Sequence, residues 1–177
     1  MITRRALLKW GVTGAAGLAF GCSGFGGDDR GESFYRDPDH PYRFLTDEDQ
    51  IIVAAIAPVM LGEALPADPA AHRERIREVV RGVDYAISLL SEATRDELRD
   101  LFGLLGNSLG RVIIAGLWSR WDRAGPAEVG RFLNDWRLAY LDLLRQGYQG
   151  LHELIMAAWY GNPASWPDIG YPGPPEV

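Results

Sequence analysis

Few side chains in this sequence have the types and spacing that an enzyme site needs. Glu153 follows His152, but neither His152 nor His72 belongs to a His-Glu-x-x-His pattern, so a zinc site of that kind is not indicated. Ser108 lacks the Gly-x-Ser-x-Gly setting of a hydrolase nucleophile. A di-iron site built across helices requires Glu-x-x-His motifs, and the sequence contains none. We therefore predict no catalytic residue, no metal ligand and no cofactor-binding residue in this chain.

One short cluster of metal-ligand residue types lies near the N-terminal side of the chain. Asp37, Asp39 and His40 are close in sequence, with Pro38 and Pro41 between and after them. The prolines favour a solvated turn, and no second cluster of ligands accompanies this one. A solvated turn is the interpretation, and a metal site is the alternative.

Length, cysteine content and charge exclude several classes of protein. The 177 residues suit one domain. The single cysteine excludes a disulfide framework, a CxxC zinc site and a CxxCH haem attachment. The net charge is −6 and the arginines form no basic run, so the sequence predicts no nucleic-acid partner.

The first 22 residues have the pattern of an export signal. Paired arginines, an apolar pair and a following lysine resemble the twin-arginine signal of bacteria. The uncharged stretch 11–25 is shorter than the roughly 20 residues that a transmembrane helix needs. The pattern predicts a periplasmic protein exported by the twin-arginine translocase, with an uncleaved membrane anchor as the alternative. The residues that carry the pattern are Arg4, Arg5, Leu7 and Leu8.

A cleavage site of the A-x-A type lies at Ala19-Phe20-Gly21 and would leave Cys22 first in the mature chain. That arrangement resembles a bacterial lipoprotein, although Phe20 stands where a lipobox has a small residue. A lipidated Cys22 would associate the protein with the membrane. Whether Cys22 is lipidated, retained or removed stays open.

The rest of the chain predicts an all-α fold, a single bundle of about five helices. Helix starts are indicated at Thr46, at Asp68 with Pro69 at the first helical position, and at Ser91. No run alternates as a half-buried strand does. The predicted organisation is a signal segment at 1–22, an extended linker at 23–44, a helical domain at 45–160 and a Pro/Gly/aromatic tail at 161–177.

Apolar spacing within the helical domain predicts which faces are buried. In the second helix the apolar stripe continues to Leu90, and after the break at 106–108 helical spacing resumes as far as Trp121. The longest stripe runs from Phe132 to Trp159 and predicts one long helix, or two nearly collinear ones, kinked near Gly147 and Gly150.

The C-terminal segment is rich in aromatics, and its prolines prevent a helix or a central strand. Its large side chains must either cover the bundle or dock on another protein, since interfaces are enriched in Trp and Tyr. The two possibilities are not exclusive. The residues predicted to contact a partner are Trp159, Tyr160, Asn162, Trp166, Tyr171 and Pro172.

Three short motifs together with the export signal support a family resemblance. They are the helix start Leu45-Thr46-Asp47-Glu48, the segment Trp159-Tyr160-Gly161-Asn162-Pro163 and the segment Gly170-Tyr171-Pro172-Gly173. The chain resembles the gluconate 2-dehydrogenase subunit 3 family, the small (gamma) subunits of bacterial membrane-bound flavin dehydrogenases. The segment Leu61-Gly62-Glu63-Ala64-Leu65 departs from the Pro-containing acidic loop expected there, which leaves the branch of the family and its substrate open.

The resemblance implies a division of labour between subunits. A large GMC-type subunit would bind FAD and oxidise an alcohol or a sugar, and a multihaem cytochrome c subunit would carry haem c and take the electrons. This chain would be non-catalytic and bind no cofactor. It would carry the export signal and assist the folding, maturation and co-export of the large subunit. The alternative is a free-standing periplasmic helical binding protein or lipoprotein.

Overall fold

The computed structural model describes Asp37 and residues 40–167 and 170–173. This part of the chain is all-α and contains six helices and no strand, as the sequence predicts. Two short 3-10 turns, Gly62–Ala64 and Pro163–Ser165, follow the first and the last helix. The helices are α1 (Asp47–Leu61), α2 (Pro69–Ser88), α3 (Glu92–Gly106), α4 (Ser108–Ile113), α5 (Pro126–Arg137) and α6 (Asp142–Tyr160).

The first three helices begin where the sequence predicts. Thr46 and Asp49 form a reciprocal capping box, in which each side chain accepts a hydrogen bond from the other residue's backbone amide. The Asp68 carboxylate accepts from two backbone amides at the start of α2, and the Ser91 hydroxyl accepts from one at the start of α3. These side chains satisfy amides that the helix itself leaves without acceptors.

Helix α1 is the central element of the bundle. It contacts α2, α3, α5 and α6, and its buried side chains lie on several faces rather than one. A helix that is apolar on most of its surface is stable in water only when neighbours surround it. The fully buried side chains of α1 include Ile52, Val53, Ile56 and Ala57.

Helix α2 packs most extensively against α6. The two backbones approach closely where Gly82 faces Ala158, since a Cβ atom placed on Gly82 would lie 2.8 Å from the Ala158 Cβ. Five residues of the predicted stripe of α2 are buried, namely Ile76, Val79, Val80, Val83 and Ile87. Leu90 was predicted to belong to that stripe but is exposed, because the helix ends at Ser88.

The prediction of one long helix, or two nearly collinear ones, after Phe132 is wrong. The break lies at residues 138–141, and α6 continues through Gly147 and Gly150. The Trp136 ring lies directly against Gly147, whereas eleven residues of straight helix would separate these positions by about 16 Å. The chain therefore folds back, and α5 packs against α6.

The predicted helical spacing between Leu109 and Trp121 holds only for the short helix α4. The chain then turns at Gly116, whose φ of 64° favours glycine. Leu117 and Trp121 are nevertheless buried, and the Trp121 indole donates to the Leu105 carbonyl oxygen at 2.8 Å. Long-range packing, rather than helical periodicity, buries these two side chains.

Residues 40–45, here called the strap, lie against the bundle ahead of α1. The carboxylate of Asp84 in α2 is buried and accepts hydrogen bonds of 2.8–2.9 Å from the backbone amides of Arg43, Phe44 and Leu45. One carboxylate on the apolar face of α2 thus holds three consecutive residues of the strap. The part of the predicted linker that the structure describes is bound to the helical body.

Two arginines of the helical body form hydrogen bonds with residues in and near the strap. The Arg99 guanidinium donates to Asp49 at 2.6 Å and to the Phe44 carbonyl oxygen, and it stacks over the Phe44 ring. Arg81 donates to Asp37 at 2.7 Å. The Asp37 side chain is almost fully buried, so the prediction of a solvated turn is wrong for this residue.

Titration of Tyr42 in the strap is expected to make stability pH-dependent in alkali. Burial, followed by the negative charge of Asp37, raises the pKa of Tyr42 to about 12, against about 10 in an unfolded chain. Between these values the unfolded chain loses the proton and the folded chain keeps it, so the free energy of unfolding falls as the pH rises. Urea unfolding at several pH values between 9 and 12 measures this slope.

The matched variant is Tyr42→Phe, which lacks the hydroxyl and should show a shallower fall in the free energy of unfolding over the same range. Equal slopes in the two proteins would contradict the assignment.

Candidate functional site

The C-terminal tail folds back on the helices. Asn162 caps the turn Pro163–Ser165 by accepting from the Ala164 amide, and its own amide donates to Glu78 in α2 at 2.9 Å. Arg75 bridges the same elements, since it donates both to Glu78 and to the Ala164 carbonyl oxygen. The predicted contact residue Asn162 is thus engaged within the chain. Arg75 and Glu78 hold the tail against α2. Sequence analysis did not single out either residue.

The other aromatic side chains of the tail, Trp166 and Tyr171, pack against each other at the end of α6. The Trp166 indole donates to the Tyr160 carbonyl oxygen at 2.9 Å, and the Tyr171 ring packs edge-on against Trp166 at 5.2 Å between centroids. Gly170, with a φ of 69°, turns the chain so that the Tyr171 amide can donate back to Trp166. The described part of the tail packs on its own helices, which is one of the two possibilities predicted.

The predicted contact residues of the tail differ widely in exposure. Trp159 is a core residue with only 2% of its surface exposed, so its ring is covered by the bundle and not presented to a partner. Trp166 is partly covered by Tyr171. Tyr160, Tyr171 and Pro172 are exposed and remain available for contact.

The described histidines occupy structural positions. His72 lies near the Pro66 carbonyl oxygen, His152 stacks on Tyr148, and His40 packs edge-on against Tyr42. Among the residues that the structure describes, no three His, Cys, Asp or Glu side chains come together as metal ligands would.

A cleft of about 590 Å³ opens between the start of α1 and the segment after α4. Its lining mixes both signs of charge, with Asp47, Glu48 and Asp122 near Arg111 and Arg120. Ser108, set aside as a nucleophile on sequence grounds, lines the cleft without a histidine beside it. Carboxylates and guanidinium groups at one surface can bind polar ligands electrostatically.

Among the described residues, a set of large apolar side chains is exposed on α4, on the segment after it, on the connection between α5 and α6 and on the first turn of α6. We call this set the corner patch. Ile113 is 75% exposed, Trp118 81% and Tyr140 96%. The members of the corner patch are Leu109, Ile113, Ile114, Trp118, Leu138, Tyr140, Leu141 and Leu143.

Two hydrogen bonds attach the segment after α4 to α5. The Trp136 indole donates to the Ile114 carbonyl oxygen at 3.0 Å, and the Trp118 amide donates to the Glu128 carboxylate at 3.0 Å. Ile114 therefore lies beside the last turn of α5, and Trp118 lies beside its first turn.

The backbone beneath the exposed side chains is held in place. Glu128 accepts from the amides of Trp118 and Ser119, and the bond from the Ser119 amide is the largest cause that lowers the pKa of Glu128. At the other side, Arg145 donates to the carbonyl oxygens of Ala139 and Tyr140. Sequence analysis missed this surface because four of its members, Leu109, Ile113, Trp118 and Tyr140, fit the apolar spacing of a helix.

The predicted signal residues Arg4, Arg5, Leu7, Leu8 and Cys22 lie outside the described residues. Within the described part, no single helix is long and apolar enough to span a membrane. Helices α1 and α2 with the turn between them meet that criterion only as a pair, and they are bent by 119°.

Comparison with protein-family models, with curated proteins and with solved structures finds no match for this chain.

Proposed function

We propose that this protein is the non-catalytic small subunit of a periplasmic, FAD-dependent alcohol or sugar dehydrogenase complex. In this role it carries the twin-arginine signal for a GMC-type catalytic subunit and assists its folding, maturation and co-export. FAD belongs to that partner, and haem c belongs to a cytochrome subunit where one is present.

The observation that carries the proposal is the corner patch. Its large apolar side chains stand exposed on a backbone that hydrogen bonds hold in place, and such a surface is typical of a protein that works in a complex. The sequence adds the reason for a complex formed before export. A flavoprotein acquires FAD in the cytoplasm and must cross the membrane folded, and the Arg4-Arg5 signal of a bound small subunit can direct that transport.

Replacing Arg4 and Arg5 by lysine is expected to leave the catalytic subunit in the cytoplasm. Lysine keeps the charge but lacks the planar guanidinium, so the signal loses the group that distinguishes it. The measurement is flavin-linked dehydrogenase activity in periplasmic and cytoplasmic fractions of the native host, together with immunodetection of both subunits.

The matched control is Arg30→Lys with Arg36→Lys, which changes two arginines of the same N-terminal region outside the pair. This control should export normally. Periplasmic dehydrogenase at the wild-type level in the Arg4/Arg5 variant would refute the export role. A protein that is monomeric and free of any flavoprotein in its native host would favour the free-standing binding protein.

A further inference from the structure

We propose that the cleft between the start of α1 and the segment after α4 binds a small zwitterion, a molecule that carries a carboxylate, an ammonium group and an apolar side chain. Free apolar amino acids and short apolar peptides share this chemistry. The inference goes beyond the proposed function, because it assigns a ligand to this chain itself and does not involve the catalytic subunit.

The cationic group available to such a ligand is Arg111 in α4. Its side chain lines the cleft and is partly withdrawn from water, and its Nε atom is buried without a hydrogen-bond acceptor among the described residues. A positive charge that is partly buried without a counter-charge costs free energy. The carboxylate of a ligand can supply the counter-charge, since the two terminal nitrogens of a guanidinium bind a carboxylate side by side.

The anionic group is Glu48. Although Glu48 belongs to the first turn of α1, its carboxylate lies against Gly106, the last residue of α3, since a Cβ atom placed on Gly106 would be 3.0 Å from the carboxylate carbon. The carbonyl oxygens at the end of a helix carry partial negative charge. An ammonium group beside Glu48 would therefore be attracted by the carboxylate and by the end of α3.

The other charged side chains of the cleft already have partners. Arg120 donates to the Asp122 carboxylate at 3.1 Å, and Asp47 is also engaged. Within the described part of the chain, neither Glu48 nor Arg111 forms an ion pair. The cleft thus presents one unpaired group of each sign.

Two apolar residues complete the part of the lining that recognises the ligand. Ile51 is half-buried, and Trp121 is almost fully buried and held by the hydrogen bond from its indole to Leu105. An apolar side chain of the ligand loses contact with water when it packs against them. The cleft volume of about 590 Å³ lies within the roughly 300–1,000 Å³ that is typical of small-molecule sites.

Ligands that carry a single sign of charge fit this lining less well. Its three carboxylates would repel phosphate or another small anion, and its two guanidinium groups would repel a metal cation. A zwitterion has no net charge and can place each of its charged groups beside the opposite one. The mixed lining therefore favours a zwitterion over either kind of ion.

The test is isothermal titration calorimetry of the purified full-length protein with L-leucine and with the dipeptide leucyl-leucine, which differ in the distance between their two charged groups. Two analogues of leucine each lack one charge, because 4-methylpentanoate has no ammonium group and 3-methylbutylamine has no carboxylate. At least one of the two zwitterions should saturate a single site, and each analogue should bind with a Kd at least about tenfold higher. The zwitterion that binds more tightly shows whether the ligand is a free amino acid or a peptide.

Two variants of the cleft separate the contributions of the charged groups. Arg111→Gln should raise the Kd of the zwitterion at least about tenfold and abolish its preference over 3-methylbutylamine. Glu48→Gln should likewise abolish the preference over 4-methylpentanoate. The matched controls are Arg131→Gln in α5 and Glu97→Gln in α3, which are exposed and outside the cleft and should keep the wild-type Kd. Thermal unfolding followed by circular dichroism verifies that all four variants fold.

Three outcomes would overturn the inference. The first is the absence of saturable binding for both zwitterions up to about 10 mM. The second is equal affinity for a zwitterion and for either analogue that lacks one charge. The third is a Kd that neither cleft variant changes, or that the control variants change as much. None of these results depends on export, so each would leave the proposed function intact.

Discussion

Replacing Asp84 by alanine is expected to lower the free energy of unfolding by about 4 kcal/mol. Each hydrogen bond to a charged acceptor contributes roughly 1.5–3 kcal/mol, and the most exposed of the three amides that donate to Asp84 regains water in the variant. Asp84 is 2% exposed and accepts from the amides of Arg43, Phe44 and Leu45. The variant leaves the Leu45 amide buried without its acceptor. For a chain of this size the loss corresponds to a fall in Tm of about 10 °C. Urea unfolding and differential scanning calorimetry measure both quantities.

Two variants control this experiment. Asp84→Asn keeps one acceptor oxygen at the same place and should lose less stability than the alanine variant. Asp100→Ala removes an exposed carboxylate from α3 and should change the free energy of unfolding by no more than about 0.5 kcal/mol. If Asp84→Ala unfolds at the wild-type temperature, the strap does not depend on this carboxylate.

Replacing Trp159 by alanine should cost a similar amount, about 4 kcal/mol, because it removes a large side chain from a packed core. The ring is 2% exposed and belongs to the central cluster of α1, α2 and α6. Its indole nitrogen is buried and finds no hydrogen-bond acceptor among the described residues. Trp159→Phe should therefore be much milder, since the loss of ring volume is partly offset by removal of an unsatisfied donor. Urea unfolding of the two variants beside the wild type gives both values.

The adjacent residue provides the control for this pair. Tyr160 is 56% exposed, and Tyr160→Ala should leave the free energy of unfolding within about 0.5 kcal/mol of the wild type. A fully stable Trp159→Ala protein would contradict a core role and would return Trp159 to the residues expected to contact a partner.

The features that the sequence predicts well are local ones. Thr46, Asp68 and Ser91 cap helices because a side-chain oxygen and nearby amides suffice for the contact. The buried stripe of α2 follows in the same way from spacing along one helix. Neither depends on where the rest of the chain lies.

The break between α5 and α6 shows where such reasoning stops. Tyr140 continues the spacing of three or four residues that runs from Phe132 to Trp159, yet it is 96% exposed in the connection. The fold-back depends on the contact of Trp136 with Gly147, which no periodicity contains. The corner patch was missed for the same reason, because apolar spacing alone does not distinguish a covered side chain from an uncovered one.

The role of Asp84 could be predicted from the sequence only in part. A carboxylate beside Val83 and near Ile87 on an otherwise apolar face is visible in the sequence, and a buried acid needs partners. That signal could have identified Asp84 as an anchor. It could not have identified the strap as the segment held, since the bonded residues lie about forty positions away in the chain.

The attachment of the strap to α2 also determines how the protein bears mechanical load. Force applied to the N-terminal end of the described chain is transmitted to the bundle first at Arg81, through its ion pair with Asp37, and next at Asp84. These two residues are one helical turn apart in α2, which packs more extensively against α6 than any other two helices pack together. Tension from the N-terminal side of the described chain therefore enters the best-packed pair of helices before it reaches the cap at Thr46, and the start of α1 is protected from fraying.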